Sequence, residues 1–162
     1  MAGDGANDSD DATGREGCSG ASCRRVIVAG YGPVGRVVAE KLEATGVDVT
    51  IVELNLDTIE RQRSLDKTVI YGDISDRQVL ELAGTRDADA LVLTIPDEKM
   101  ALNACRIARE LAPHLYIAAR TNFVSEGLLA TQAGADCVIV EEVVTAVAMK
   151  EAVLRRFAID DV

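Results

Sequence analysis

A short glycine loop constrains this chain more than any other feature. The apolar run Val26-Ile27-Val28-Ala29 leads into Gly30-Tyr31-Gly32-Pro33-Val34-Gly35, and an amphipathic stretch carrying Val34, Val37, Val38 and Leu42 follows. Apolar strand, glycine turn and helix start, in that order, build a phosphate site from backbone alone. The first glycine permits the sharp turn, the second lets the main chain approach a pyrophosphate, and the third lets the helix lie close on the strand. Glu53 closes the next apolar run, 23 residues past Gly30. That is near the spacing at which an acid reaches the hydroxyls of an adenosine ribose. A lone GxGxxG run is weak evidence. Strand, helix and acid falling in sequence favour a dinucleotide or adenine-nucleotide site over a turn kept only for packing.

The rest of the chain repeats the alternation. Short β-branched runs near 25–29, 47–52, 68–71, 89–94, 115–119 and 137–140 are mostly apolar throughout rather than alternating, as expected of parallel strands covered on both faces. Helical punctuation separates them. Ser75-Asp76-Arg77-Gln78 reads as a capping box before Val79, Leu80 and Leu82, with Gly84 as the stop. Pro96-Asp97 opens a longer helix whose apolar positions, among them Met100, Leu102, Cys105 and Leu111, end before Pro113. Asn122 is placed to cap the helix of Leu128 and Leu129, which stops at Gly134. Six strands with right-handed crossovers predict an α/β, Rossmann-like, doubly wound parallel sheet of order 3-2-1-4-5-6. A nucleotide would lie across the carboxyl ends of its strands.

Composition narrows the classes. At 162 residues the chain suits one domain. Residues 1–23 are rich in Gly, Ser, Ala and Asp and show no apolar period, so they read as a disordered acidic tail or linker. A net charge of −10 argues against nucleic acid and anionic lipid as partners. No apolar run approaches the roughly 18 residues of a membrane helix, so no direct membrane insertion and a cytoplasmic location are expected. Cys18, Cys23, Cys105 and Cys137 form no CxxC pair, and His114 is the only histidine, so no metal site is expected.

Around the predicted cleft, Glu53 is the specificity element. Its carboxylate would accept ribose hydroxyls and repel a 2′-phosphate, which favours NAD(H) or an unphosphorylated adenosine over NADP(H). Leu54 follows it. Gly72-Asp73 closes the third strand, where Asp73 either bonds the base or ribose or starts the next helix. Thr94 ends the fourth strand beside the expected second half of a dinucleotide. Arg120 ends the fifth, where a charge calls for a phosphate or an intersubunit acid, the alternative being a solvated arginine. A Tyr-x-x-x-Lys base is absent and His114 has no acid nearby in sequence, so no catalytic residue is assigned. The pattern points to a sensor rather than an enzyme; the rival is a small NAD-dependent oxidoreductase or a subunit of one.

The pieces VIVAGYGPVGRVVAEKL, VTIVELN, VIYGDISDRQVLELAG, ADALVLTIPDEKMALNACRIAREL, IAARTN and AGADCVIVEE resemble the regulator-of-potassium-conductance (RCK) domain, also called KTN or TrkA-N. The likeness is strongest to the version attached to Kef-type potassium/proton antiporters and covers about 24–144. It implies a cytosolic domain that binds NAD(H) or AMP/ADP/ATP and gates a potassium channel, transporter or antiporter as a homodimer. Family nucleotide roles fall on Gly30, Gly32, Gly35, Glu53, Asp73 and Arg120, and more loosely on Thr94; Tyr31, Pro33, Val34, Leu54 and Gly72 complete the candidate set. Glu53 stands where many members have aspartate. The smaller C-terminal lobe of many members and a transmembrane part are not expected in this chain. The apolar helix from Glu141 to about Phe157, most of it in the segment 145–162, either crosses to a second subunit, as the family implies, or covers the domain's own sheet edge.

Overall fold

A computed structural model describes residues 24–157; the acidic segment 1–23, with Cys18 and Cys23, lies outside the described residues. The elements follow as β1 (Arg25–Ala29), α1 (Pro33–Ala44), β2 (Asp48–Glu53), α2 (Leu56–Arg63), β3 (Thr68–Tyr71), α3 (Arg77–Leu82), a 3-10 turn (Thr85–Asp87), β4 (Ala90–Leu93), α4 (Glu98–Leu111), β5 (Tyr116–Thr121), α5 (Val124–Gln132), β6 (Cys137–Val140) and α6 (Glu141–Arg156). The sheet order is β3-β2-β1-β4-β5-β6, all parallel, as the crossover pattern predicts. Val28 sits between Ile51 and Val92 in register, at the centre of the sheet.

Alternate strand residues feed two separate cores. Ile27, Val52, Leu91, Leu93, Ile117 and Ala119 pack with Leu80 of α3, Ala104, Cys105, Ala108 and Leu111 of α4, and Ala130 of α5. On the opposite face Val26, Val28, Val49, Ile51 and Val69 pack with Tyr31, Ala39 of α1 and Ile59 of α2. Each fully buried Ile or Leu contributes about 1.5–3 kcal/mol by leaving water. The second core stops at β4. Beyond it Ala118 is partly buried and Ile139 is 49% exposed, and no residue of α6 is buried.

Two helix starts differ from the sequence expectation. The α3 N-cap is Asp76, whose carboxylate accepts the Gln78 N–H, while the Ser75 hydroxyl donates to Asp73 Oδ1. Ser75 is spent in a turn with Asp73, and the cap passes to the next acceptor along. At α5 the N-cap is Phe123 rather than Asn122, and Glu126 accepts the N–H groups of both residues at 3.2 and 2.9 Å respectively. Asp97 does cap α4, accepting the Met100 N–H at 2.9 Å.

Candidate functional site

The three glycines of the loop meet different demands. Gly30 has φ +91°, the left-handed region that other residues enter only at a cost, and its N–H donates to Val52 O at 2.9 Å. At Gly35 a Cβ would stand 1.9 Å from Gly30 O and 2.7 Å from Thr94 Oγ1, so α1 can lie on β1 only without a side chain there. Gly32 is otherwise: a Cβ would meet nothing within 4 Å, and its φ of −70° and ψ of −171° are ordinary extended backbone. The fold does not need glycine at 32. What its missing side chain leaves is open space in front of the α1 N-terminus. Gly32 is the N-cap and makes no side-chain cap bond, Pro33 occupies the first turn, and no acid stands there. The opening N–H groups of such a helix have no intrahelical acceptor, which suits an anion.

Glu53 stands at the mouth of this loop. Its Oε2 accepts the Tyr31 N–H at 2.7 Å, and its Oε1 accepts the N–H groups of Leu54 and Asn55 at 2.7 and 2.9 Å. The carboxylate is thereby oriented by backbone from both sides of the cleft. Glu53 shares a narrow cleft with Gly30, Val52, Leu54, Gly72, Ile74, Ile95 and Met100. Its apolar walls suit a flat base next to a polar ribose acceptor. Ile74, Ile95 and Met100 are walls the sequence reading did not assign to the site; Met100 reads only as an apolar helix position, because its place opposite Glu53 depends on the α4 crossover.

Other candidate residues turn out to build the loop. The Tyr31 side chain points away from the cleft: it is 7% exposed in the second core, and Lys67 Nζ donates to its hydroxyl at 3.0 Å. Burial disfavours the Lys67 cation, but its bonds to Glu43, at 2.8 Å, and to Tyr31 outweigh that and raise its pKa. Only the backbone of Tyr31 faces the site. Thr94 Oγ1 lies 3.0 and 2.9 Å from Ala29 O and Gly30 O and shares its one hydroxyl hydrogen between them, pinning the turn to the end of β4. Gly72 lets α3 approach, since a Cβ there would lie 2.6 Å from Val79 Cγ2. Asp73 Oδ1 accepts both the N–H and the hydroxyl of Ser75 at 2.7 Å, a local turn beside the cleft.

Arg120 meets an acid, but one of its own chain. Its Nη1 donates to Glu141 Oε1 at 2.8 Å, at the first residue of α6, while its buried Nε has no partner. Arg120 borders a cavity of about 430 Å³ between α1, the bare face of β4–β6 and α6, with Val34, Val38, Val92, Ala118, Ile139 and Val144 in its walls. This cavity is larger than the cleft at Glu53, yet its apolar lining marks it as uncovered sheet rather than as the phosphate site. The AGAD segment lies at the other end of the sheet. Asp136 accepts the Ile117 N–H at 2.8 Å and bonds Arg109 at 2.7 Å, so that signature fastens β6 to β5. Burial pushes the Cys105 thiol up to about 11, which leaves it an inert core residue. Among the described residues no cluster of His, Cys, Asp or Glu is placed to hold a metal, and no helix is long and apolar enough to cross a membrane.

Comparison with known proteins agrees with this geometry. The TrkA-N domain model matches residues 26–141. Over 112 residues the chain is 34% identical to the glutathione-regulated potassium-efflux system protein KefC of Escherichia coli, an alignment covering 69% of this chain and 18% of KefC. The chain thus spans about a fifth of the length of that relative. The crystal structure of the TrkA-N domain of the inner membrane protein ybaL from Escherichia coli superposes with a TM-score of 0.77 at 28% identity, over 80% of this chain and 96% of that one. The Kef C-terminal domain of Shewanella denitrificans in its AMP-bound form gives 0.70 at 29% identity, over 83% and 81%. A six-stranded sheet wound in the order 3-2-1-4-5-6, a glycine loop closed by Glu53 and a family match across most of the described residues lead to one assignment: the chain belongs to the TrkA-N domain family.

Proposed function

We propose that this domain binds an adenine nucleotide, NAD(H) or AMP, ADP or ATP, along the carboxyl ends of β1, β2 and β4. In this reading it is the sensing part of a potassium channel, transporter or potassium/proton antiporter, acting at the cytoplasmic face of the membrane rather than as an enzyme. The observation that carries the nucleotide site is Gly32, whose side-chain space is empty and unneeded by the fold, in front of a helix start without an intrachain cap and 21 residues from an acid that holds the loop. Phosphate would lie on the Gly30–Gly35 backbone, the ribose at Glu53, and the base against Ile74, Ile95 and Met100. The relationship to potassium-efflux proteins and the AMP-bound state of the Shewanella domain support the same ligand class and partner.

Transmission to a partner needs a surface that changes. The exposed face of β4–β6 and the unburied α6 are two apolar surfaces on one chain, and a second copy related by a two-fold axis would cover both. Arg120 links the carboxyl end of β5 to the first residue of α6, and so gives occupancy of the site a route to that helix. Gly32→Ala tests the nucleotide site. The variant should fold with stability within about 1 kcal/mol of the parent, since alanine adopts this backbone and restricts the unfolded chain but is a poorer N-cap than glycine. Its melting temperature should not rise with AMP or NAD, whereas the parent's should. Nucleotide stabilisation that survives in the variant would place the phosphate elsewhere, and steady NADH consumption with a carbonyl substrate would support an oxidoreductase instead.

A further inference from the structure

We infer that Lys67, which does not line the cleft, is a positioning residue for the nucleotide site: through the Tyr31 hydroxyl it holds the glycine loop in its binding shape. The inference rests on the nucleotide reading above and concerns what sets the affinity of that site. Between Gly30 and Gly35 the one buried side chain is that of Tyr31, while Pro33 and Val34 are exposed. Glycines are the residues whose backbone loses most freedom when it is fixed, and they offer no side chain to hold. Fixing this loop therefore falls on one ring. That ring is packed in the second core, and its hydroxyl accepts from Lys67 Nζ at 3.0 Å. The same Nζ donates to Glu43 at 2.8 Å, in the last turn of α1. One ammonium thus ties the residue that precedes α1 to the far end of that helix.

Lys67 is itself placed by a tight turn. Past the end of α2, Asp66 has φ +57°, the left-handed conformation that often follows a helix and that aspartate tolerates better than most residues. The Lys67 N–H closes that turn on Gln62 O at 3.3 Å, which delivers the lysine to Tyr31. At the other side of the loop, Tyr31 gives its own N–H to Glu53 at 2.7 Å, and the next residue, Gly32, is the N-cap of α1. A shift of the ring moves both the acid and the helix start that faces the phosphate. With the anchor made, the loop is ordered before a ligand arrives, and little binding energy is spent on ordering it. Without it, only the fraction of molecules whose loop is in shape can bind, and the apparent affinity falls by that fraction. Lys67 sets affinity while touching no ligand atom.

Tyr31→Phe, Lys67→Met and the two combined test this, by titration calorimetry with AMP and by amide exchange of the ligand-free chain, both well below the melting temperature. Tyr31→Phe keeps the ring and the lysine charge and removes only the hydroxyl. Each single variant should bind AMP about threefold or more weakly than the parent, and the pair no more weakly than the worse single variant, because both changes break one link. In each, the Tyr31 amide should exchange about tenfold or more faster. Variants that melt earlier but keep the parent's AMP affinity and Tyr31 exchange would show a merely structural contact and overturn the inference. A loss confined to Lys67→Met that disappears at high salt would overturn it too, as the mark of long-range attraction between the lysine and the phosphate. If AMP, ADP and NAD all fail to bind the parent, the nucleotide reading falls, and the amide exchange alone decides whether Lys67 holds the loop.

Discussion

The two halves of the sheet are made of similar apolar strands and end up in different states. In the β1–β3 half, α1 and α2 cover one face with Ala39 and Ile59, and Val28 and Ile51 are fully buried. In the β4–β6 half the same face carries Tyr116, Ala118, Arg120 and Ile139, with a cavity where a helix would otherwise lie, and α6 departs with no buried residue. A 16-residue helix without a packed face is marginal in water, because helices draw most of their stability from tertiary contact. The closed half is thus self-sufficient and holds the glycine loop rigid. The open half leaves one sheet face and the whole of α6 without a buried contact surface among the described residues.

Four experiments break or sharpen this contrast. The largest effect belongs to the closed half. Gly35→Ala drives a Cβ to 1.9 Å from Gly30 O, a backbone atom that cannot swing aside. Loss of about 3 kcal/mol or more is expected, a fall of about 10 °C in melting temperature. A melt that matches the parent would mean that α1 does not lie on β1 as described. In the open half, Val147→Asp with Leu154→Asp should leave the monomer fold intact, since neither residue is buried. The double variant should shift a dimeric parent to monomer in light scattering while nucleotide binding persists. A monomeric parent at high concentration would remove α6 from assembly.

The third effect returns to the loop. With the proposed ribose position, a 2′-phosphate would meet the Glu53 carboxylate, so NADP(H) should bind at least about tenfold more weakly than NAD(H), about 1.4 kcal/mol. Calorimetry decides it, and equal affinities would dismiss Glu53 as the selector. The smallest effect is at the start of β6. The Ile117 N–H holds Asp136 below its ordinary 3.8, against a desolvation cost, and Arg109 adds to the lowering. A depressed carboxyl stabilises the fold above the unfolded value, and that contribution fades as pH falls from about 4 through the lower folded value. Because Asp136 is 41% exposed, the pair is screened by solvent and the change should be modest. Asp136→Asn should flatten this acid limb of the stability curve, and an unchanged limb would assign acid unfolding to other carboxyls.

The local chemistry of the chain was legible at the residue level. The apolar runs at 25–29, 68–71 and 137–140 are strands with those bounds, Asp97 caps α4, and the loop and Glu53 lie together as their spacing requires. Departures occur where two neighbours compete or where a partner is far away in sequence. Ser75 and Asp76 both qualify as caps, and the nearer turn with Asp73 decides between them. Thr94 lies 64 residues from Gly30, so no periodicity marks it as the pin of the glycine turn. The tyrosine of the loop looks like a ligand contact by position, yet its ring is claimed by a core and a lysine 36 residues away.

By itself, then, the sequence determined the order of strands and helices, the right-handed winding, the glycine loop and the acid beside it, because these follow from short-range backbone chemistry and from apolar period. Only the tertiary structure decided how those parts are used: that Gly32 alone among the loop glycines serves no packing need, that three backbone donors occupy Glu53, that Arg120 turns to Glu141, and that half of one sheet face stays bare. Each of these depends on which distant group arrives first at a polar atom or an apolar surface. That competition is settled in three dimensions, where sequence separation no longer measures distance.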